Sequence, residues 1–188
     1  MLTPNQAKDF YDRFGAKQDS QAYYEDAAID DLLSHLDLSH ACVLYEFGCG
    51  TGRFAERVLD AALPGNSWYR GIDISETMIQ LTRNRIQRFG DRATATQIDG
   101  EPKIDAPDQS VDAIVSNYVL DILPEDQIRA FVTDSNRALT DDGQLGLISL
   151  TPGTNLLSRA VIAAWRAIFA IRPATLGGCR PIKLLQFF

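Results

Sequence analysis

Residues 43–52 read Val43-Leu44-Tyr45-Glu46-Phe47-Gly48-Cys49-Gly50-Thr51-Gly52, an apolar run that delivers one carboxylate and then a glycine at every second position. The apolar character of 42–47 predicts a buried strand. Glycines at 48, 50 and 52 predict a sharp turn whose backbone comes close to a ligand, where a Cβ would clash. Residues 53–63 read as a helix whose first amide groups point into the same turn. Glu46 narrows the choice of ligand. A pyrophosphate-binding turn spaces its glycines G-x-G-x-x-G and sets the phosphates on the helix N-terminus. Here the third glycine arrives one residue early, and a carboxylate stands where a phosphate would be repelled. An amine or a sulfonium charge suits the turn better.

Outward from this stretch the chain alternates between strands and helices. Strand 42–47 leads to helix 53–63, and strand 67–72 to helix 76–89. Strand 93–98 runs through a polar linker to strand 111–116, and helix 125–139 leads to strand 144–150. This order predicts an α/β fold, a doubly wound and mostly parallel sheet with helices on both faces. Ligands of such sheets sit beyond the carboxyl ends of the strands, where the strand order reverses. The residues after each strand therefore matter most. Asp73 can accept two hydrogen bonds from a ribose diol. Asp99 can accept from an adenine amino group while the Gly100 amide donates to a ring nitrogen. Asn117 and Tyr118 follow strand 111–116. Each acid also has a structural alternative: Asp73 as a helix cap, Asp99-Gly100 as a plain turn. Acids after three successive strands are harder to explain that way.

The 188 residues correspond to about one domain, divided as a helical segment 1–40, a core 41–150 and a shortened tail 151–188. A net charge of −7, with no basic run, argues against a nucleic-acid partner. Cys42, Cys49 and Cys179 are spaced for neither a disulfide framework nor zinc. The absence of a signal segment and of a long apolar stretch argues against export and against a membrane span. The expected location is the cytoplasm. Oligomeric state stays open.

At the N-terminus, Thr3-Pro4 starts a helix that carries Phe10, Tyr11 and Phe14 and ends at Gly15. A second helix is expected over 20–37, with Tyr24, Ala28, Leu32 and Leu36 at helical spacing. His35 and His40 lie at its end, where surface or capping roles are expected of them rather than service as a base. Residues 156–171 form an apolar helix with Arg159 and Arg166 on one face and Trp165, Ile168 and Phe169 adding apolar area. A core helix against the sheet is the expected placement, with an acceptor pocket or a membrane-surface face as the alternatives.

Glu46-Phe47-Gly48-Cys49-Gly50-Thr51-Gly52 resembles the E/D-x-G-x-G-x-G motif of the class I, Rossmann-like, S-adenosylmethionine-dependent methyltransferases, small-molecule type. The likeness runs from about Tyr11 onward. Residues 106–112 are similar to the family's F-P-D-x-S-F-D lead into strand 4, and 139–145 to its L-K-P-G-G-x-L lead into strand 5. The resemblance implies S-adenosylmethionine as cofactor, with Glu46 near the methionine amine, Asp73 at the ribose and Asp99 at the adenine. It also implies cofactor contacts from Gly48, Cys49, Gly50, Thr51, Gly52, Ile74, Met78, Gly100, Asn117 and Tyr118. Phe10-Tyr11-Asp12-Arg13-Phe14 is similar to the family's Y-D-x-x-A lid, which places Tyr11 and Phe14 over the site. Two departures stand out. Leu120-Asp121-Ile122-Leu123 replaces L-H-H-L, so no histidine base carries over, and Asp121 is left as a weak polar candidate beside Tyr11. The family's C-terminal pair of strands is expected to be missing or truncated, leaving an exposed edge beside strand 144–150.

Methyl transfer from a sulfonium is an in-line displacement from an activated donor, so positioning and water exclusion supply most of the catalysis. No metal is expected. The implied activity is methyl transfer to a small-molecule or lipid-like acceptor. The alternatives are a truncated or degenerate cofactor-binding domain without turnover and an NAD(P)-dependent oxidoreductase.

Overall fold

Successive strand side chains point to opposite faces, and Val43–Phe47 (β1) buries both. Leu44 joins the apolar cluster on one side of the sheet, Tyr45 and Phe47 the cluster on the other. A strand buried on both faces belongs in the interior of a parallel sheet. In the computed structural model, which describes residues 2–153, 156–171 and 178–188, β1 is the central strand. It pairs on one side with Trp68–Asp73 (β2), which pairs in turn with Ala93–Gln97 (β3). On the other side it pairs with Val111–Asn117 (β4), which pairs with Leu139–Ile148 (β5). All the pairings are parallel, and the order is β3-β2-β1-β4-β5. The direction of winding reverses between β1 and β4, so their carboxyl ends flank the switch point expected to hold the ligand.

The six α-helices among the described residues fall within the segments expected to be helical. Pro4–Phe14 (α1) begins with a reciprocal cap in which Thr3 Oγ1 accepts from the Gln6 amide at 3.3 Å and Gln6 Oε1 accepts from the Thr3 amide at 2.9 Å. Gly15, at φ 49°, ends it. The single helix expected over 20–37 is instead a 3-10 segment, Gly15–Gln21, followed by Ala22–His35 (α2). It stops short because Asp37 turns back to accept from the Ser39 amide and hydroxyl, at 3.0 and 2.6 Å. Arg53–Ala61 (α3) and Glu76–Ile86 (α4) pack Phe54, Val58, Leu59 and Ile79 against one face of the sheet. Glu125–Ala138 (α5) packs Ile128 and Phe131 against the other, with the Phe47 and Phe131 rings 4.8 Å apart.

Two expectations are corrected. The strand expected over 144–150 begins earlier: β5 pairs from Leu139 and takes up the extra residues as a register shift between Val111 and Ala113. Leu156–Ile171 (α6), expected to lie in the core, has none of its described side chains buried, and Ile171 is 78% exposed. Gly177 and the side chains of Tyr24, Arg166 and Ile168 lie outside the described residues. Among the described residues no strand follows β5; the Ile182 amide donates to Leu150 at 2.9 Å, and a 3-10 turn Leu184–Phe187 buries Phe187. Among them, too, no helix is long and apolar enough to cross a membrane.

Candidate cofactor and acceptor site

The glycine turn leaves β1 with its first two amides, Gly48 and Cys49, donating to the Ile72 carbonyl of β2 at 2.8 and 2.9 Å. Gly48 has φ 80°, and a Cβ there would lie 2.1 Å from Val119 Cγ2, so this position excludes every side chain. Gly50 has φ 52° and no atom within 4 Å of a would-be Cβ. Its backbone is bare because it borders a cavity of about 720 Å³. The two glycines serve different needs, one close packing and the other an open approach.

Asp73 ends β2 at the cavity wall. Its Oδ2 accepts from the Gly50 amide at 3.0 Å and its Oδ1 from the Ser75 amide at 2.8 Å. Burial pushes its pKa up to about 6, with these backbone donors pulling the other way. The helix-cap alternative is only partly realised, because Ser75 itself caps α4 by accepting from the Met78 amide at 3.1 Å. A carboxylate has about four lone-pair sites, so two amide donors still leave room for a diol.

Glu46 is 2% exposed and lies behind the turn rather than in the cavity wall. Its pKa is pushed up to about 8 by burial, against the stabilising phenol of Tyr69, which donates to Oε2. Register explains how the phenol reaches it. Glu46 lies opposite Gly71, and a Cβ on Gly71 would come within 2.6 Å of the Tyr69 hydroxyl. Strand position 71 must be empty for the pair to form. Both polar atoms of the Asn117 side chain are buried without a hydrogen-bond partner of good geometry, although its amide sits near enough to Glu46 to favour the charged carboxylate. An orphaned buried amide at a cavity wall is the mark of a site built for a polar ligand group. Tyr118 follows with φ 59°, an unusual backbone for a non-glycine residue that turns the chain along the cavity.

The remaining residues from the sequence divide. Ile74, Met78 and Gly100 line the cavity together with Ile98. Cys49, Thr51 and Gly52 are buried behind the turn and do not line it. Thr51 instead donates to Asp19 at 2.5 Å. Asp99 is exposed on the rim, its Oδ1 accepting from the Glu101 amide at 3.2 Å in the turn that was its alternative reading. Asp121 is fully buried and outside the wall: its Oδ2 accepts from the Leu150 amide at 2.9 Å, tying the segment after β4 to the end of β5. It is neither solvated nor a helix cap. Burial pushes its pKa up to about 7. His35 and His40 are exposed and do not line the cavity.

The lid is present. Phe10, Tyr11 and Phe14 of α1 line the cavity, and the Tyr11 hydroxyl lies 3.9 Å from Cys179 Sγ, with burial holding the phenol well above its ordinary pKa and hence neutral. Sequence reasoning missed what fastens the lid. Asp12 Oδ1 accepts from the Ser75 hydroxyl at 2.6 Å and the Thr77 amide at 3.2 Å, at the start of α4. Asp19 accepts from Thr51 and from Arg85, the latter at 2.6 Å. Asp26 pairs with Arg53 at 2.5 Å. The only available signal was an excess of acids in the first 40 residues, facing arginines in α3 and α4. Tyr69 was missed because a mid-strand aromatic reads as core.

The strand order, the glycine turn and the acid after β2 define a Rossmann-like methyltransferase of the S-adenosylmethionine-dependent class. Residues 44–143 match the family described as a methyltransferase domain, and the chain belongs to that family. No curated protein matches it. Among solved structures, phosphoethanolamine N-methyltransferase 1 of Haemonchus contortus, in complex with phosphoethanolamine and S-adenosylhomocysteine, is 21% identical at a TM-score of 0.67, covering 81% of this chain and 34% of that one. A DhpI complex with S-adenosylhomocysteine is 22% identical at 0.63, covering 79% and 69%. Geranyl diphosphate C-methyltransferase of Streptomyces coelicolor A3(2) is 17% identical at 0.59, covering 76% and 52%. At such identities these likenesses speak for the fold alone.

Proposed function

We propose that the chain transfers a methyl group from S-adenosylmethionine to a small-molecule or lipid-like acceptor. The observation that supports this most is that one cavity of about 720 Å³ is walled at once by Gly50, Asp73 and Gly100 from the sheet and by Tyr11 and Phe14 from the lid. Ligand pockets run about 300–1,000 Å³, so this one is of a size to take a cofactor.

The residues present fit the cofactor. Gly48 and Gly50 give its backbone approach, Asp73 a ribose acceptor, and Asn117, backed by Glu46 and Tyr69, a polar end for its amine. Ile74, Met78 and Ile98 offer apolar surface to the adenine. Asp99, with Oδ1 on the Glu101 amide, keeps Oδ2 to offer the adenine amino group, and the Gly100 amide shares that contact. When bound, the cofactor supplies an activated methyl group with a neutral thioether leaving group. The chain's own part is to orient and to keep water out, through α1 above and α6 beside the cavity. Tyr11 stays neutral and faces the acceptor end, while Asp121 holds the wall in place.

A single domain of 1–188, a cytoplasmic location and no nucleic-acid partner belong to the same reading. Free thiols at Cys42, Cys49 and Cys179 and a charge of −7 support the last two. The test is transfer of labelled methyl from S-adenosylmethionine to a panel of amine, hydroxyl and carbon acceptors. Label on any acceptor, lost in the Tyr11→Ala variant, supports the reading. Bound cofactor that is never consumed with any acceptor favours a binding domain without turnover.

A further inference from the structure

We infer that the acceptor taken by this cavity is an uncharged, largely apolar molecule, and that phosphate-, carboxylate- and ammonium-bearing molecules are rejected; the inference rests on the cofactor reading above. The acceptor end is walled by Phe10, Ile122, Leu123, Leu150, Ile162 and Trp165. Two of these side chains, Ile162 and Trp165, come from α6. Among the described residues, no lysine, arginine or histidine lines the cavity anywhere. Arg180 comes near but spends its guanidinium on the Leu123 carbonyl at 2.6 Å, outside the wall. An anionic head group would therefore be buried with no cation among the described residues to meet it.

A cationic acceptor fares no better, because both carboxylates of the wall are engaged. Asp73 lies in the cofactor half, where two backbone amides and, on the reading above, the ribose diol take its lone pairs. Glu25 lies 3.6 Å from Arg53 and accepts from Gln18 at 3.5 Å. The other polar groups of the wall are neutral, among them the Tyr11 and Tyr23 phenols and Gln127. They can orient one hydroxyl or carbonyl on an otherwise apolar body.

The test uses the whole chain saturated with S-adenosylhomocysteine, with binding of that ligand confirmed by calorimetry in the same sample. N-phenyl-1-naphthylamine, a neutral dye that brightens in apolar cavities, is bound and then displaced with 1-naphthol, 1-naphthyl phosphate or 1-naphthylmethylammonium. The expected result is displacement by 1-naphthol at a concentration at least about tenfold below either charged probe. In Ile122→Lys the phosphate probe should gain at least about tenfold on 1-naphthol, since a cation now faces it. Trp165→Ala, a milder change, should weaken 1-naphthol several-fold. Equal or better displacement by a charged probe, with S-adenosylhomocysteine bound, overturns the inference and leaves the cofactor reading standing. A folded chain that binds no S-adenosylhomocysteine overturns both.

Discussion

The two halves of the cavity are made differently. The cofactor half is built mainly from backbone: the turn 48–52, the amides that Asp73 gathers, and the Gly100 turn, all set by a sheet whose register is fixed on both faces. The acceptor half is built from side chains that arrive from α1, α5's approach, β5's end and α6, segments far apart in sequence and joined by a few polar bonds. Backbone geometry leaves little choice of residue, whereas a side-chain wall can be rebuilt with the scaffold intact. On the proposed reading the first half is tied to the cofactor, and the second is free to set the acceptor.

The sharpest way to break this contrast is at the glycines. Gly48→Ala should cost about 2–5 kcal/mol in S-adenosylhomocysteine binding or folding, because strain at positive φ adds to a clash with Val119. Gly50→Ala meets no neighbour and should cost only about 1–2 kcal/mol, the left-handed backbone penalty. Calorimetry and thermal melting on the pair distinguish the two; equal losses would mean that space at Gly48 is not what matters. Next in size, Asp73→Ala should weaken cofactor binding by at least about 1.5 kcal/mol, since it removes charge-assisted hydrogen bonds. An unchanged dissociation constant would remove the ribose role.

Acidity offers a third test. Glu46, Asp121 and Asp73 have pKa values of about 8, 7 and 6 in the folded chain, raised by burial from ordinary values of 4.5, 3.8 and 3.8. Raised carboxylates mean that the folded state holds protons the unfolded state has released, so stability falls as pH rises through this window. The melting temperature of the ligand-free chain should therefore decline from about pH 4.5 to 8. Stabilisation by S-adenosylhomocysteine should grow over the upper part of that range, as its amine favours ionised Glu46. A melting temperature that rises across the window would contradict the burial of these acids. The smallest effect is expected at the lid: Asp12→Ala removes the bonds to Ser75 and Thr77 and should cost about 1 kcal/mol of stability. It should lower turnover more than cofactor affinity, and the reverse would place Asp12 with the cofactor half.

The same contrast explains what was legible in the sequence. The glycine turn, Asp73 and the alternation of strands and helices could be read because each is a local pattern with few physical explanations. Asp99 could be placed after its strand, yet nothing local shows whether its carboxylate turns inward or, as here, to the Glu101 amide. Tyr69 and Gly71 looked like ordinary strand residues until register set them against Glu46. Apolar α6 read as core because its composition is that of a buried helix; nothing local shows that Ile162 and Trp165 turn to a cavity. The acids of 1–40 gained meaning once α3 and α4 presented arginines to them.

The most direct test of the central claim, that residues 43–52 and Asp73 form an S-adenosylmethionine site, is calorimetric titration of the purified chain with S-adenosylhomocysteine, with NADH alongside. Saturable one-to-one binding of S-adenosylhomocysteine and none of NADH is the expected result. A folded chain that binds NADH, or neither ligand, would contradict it.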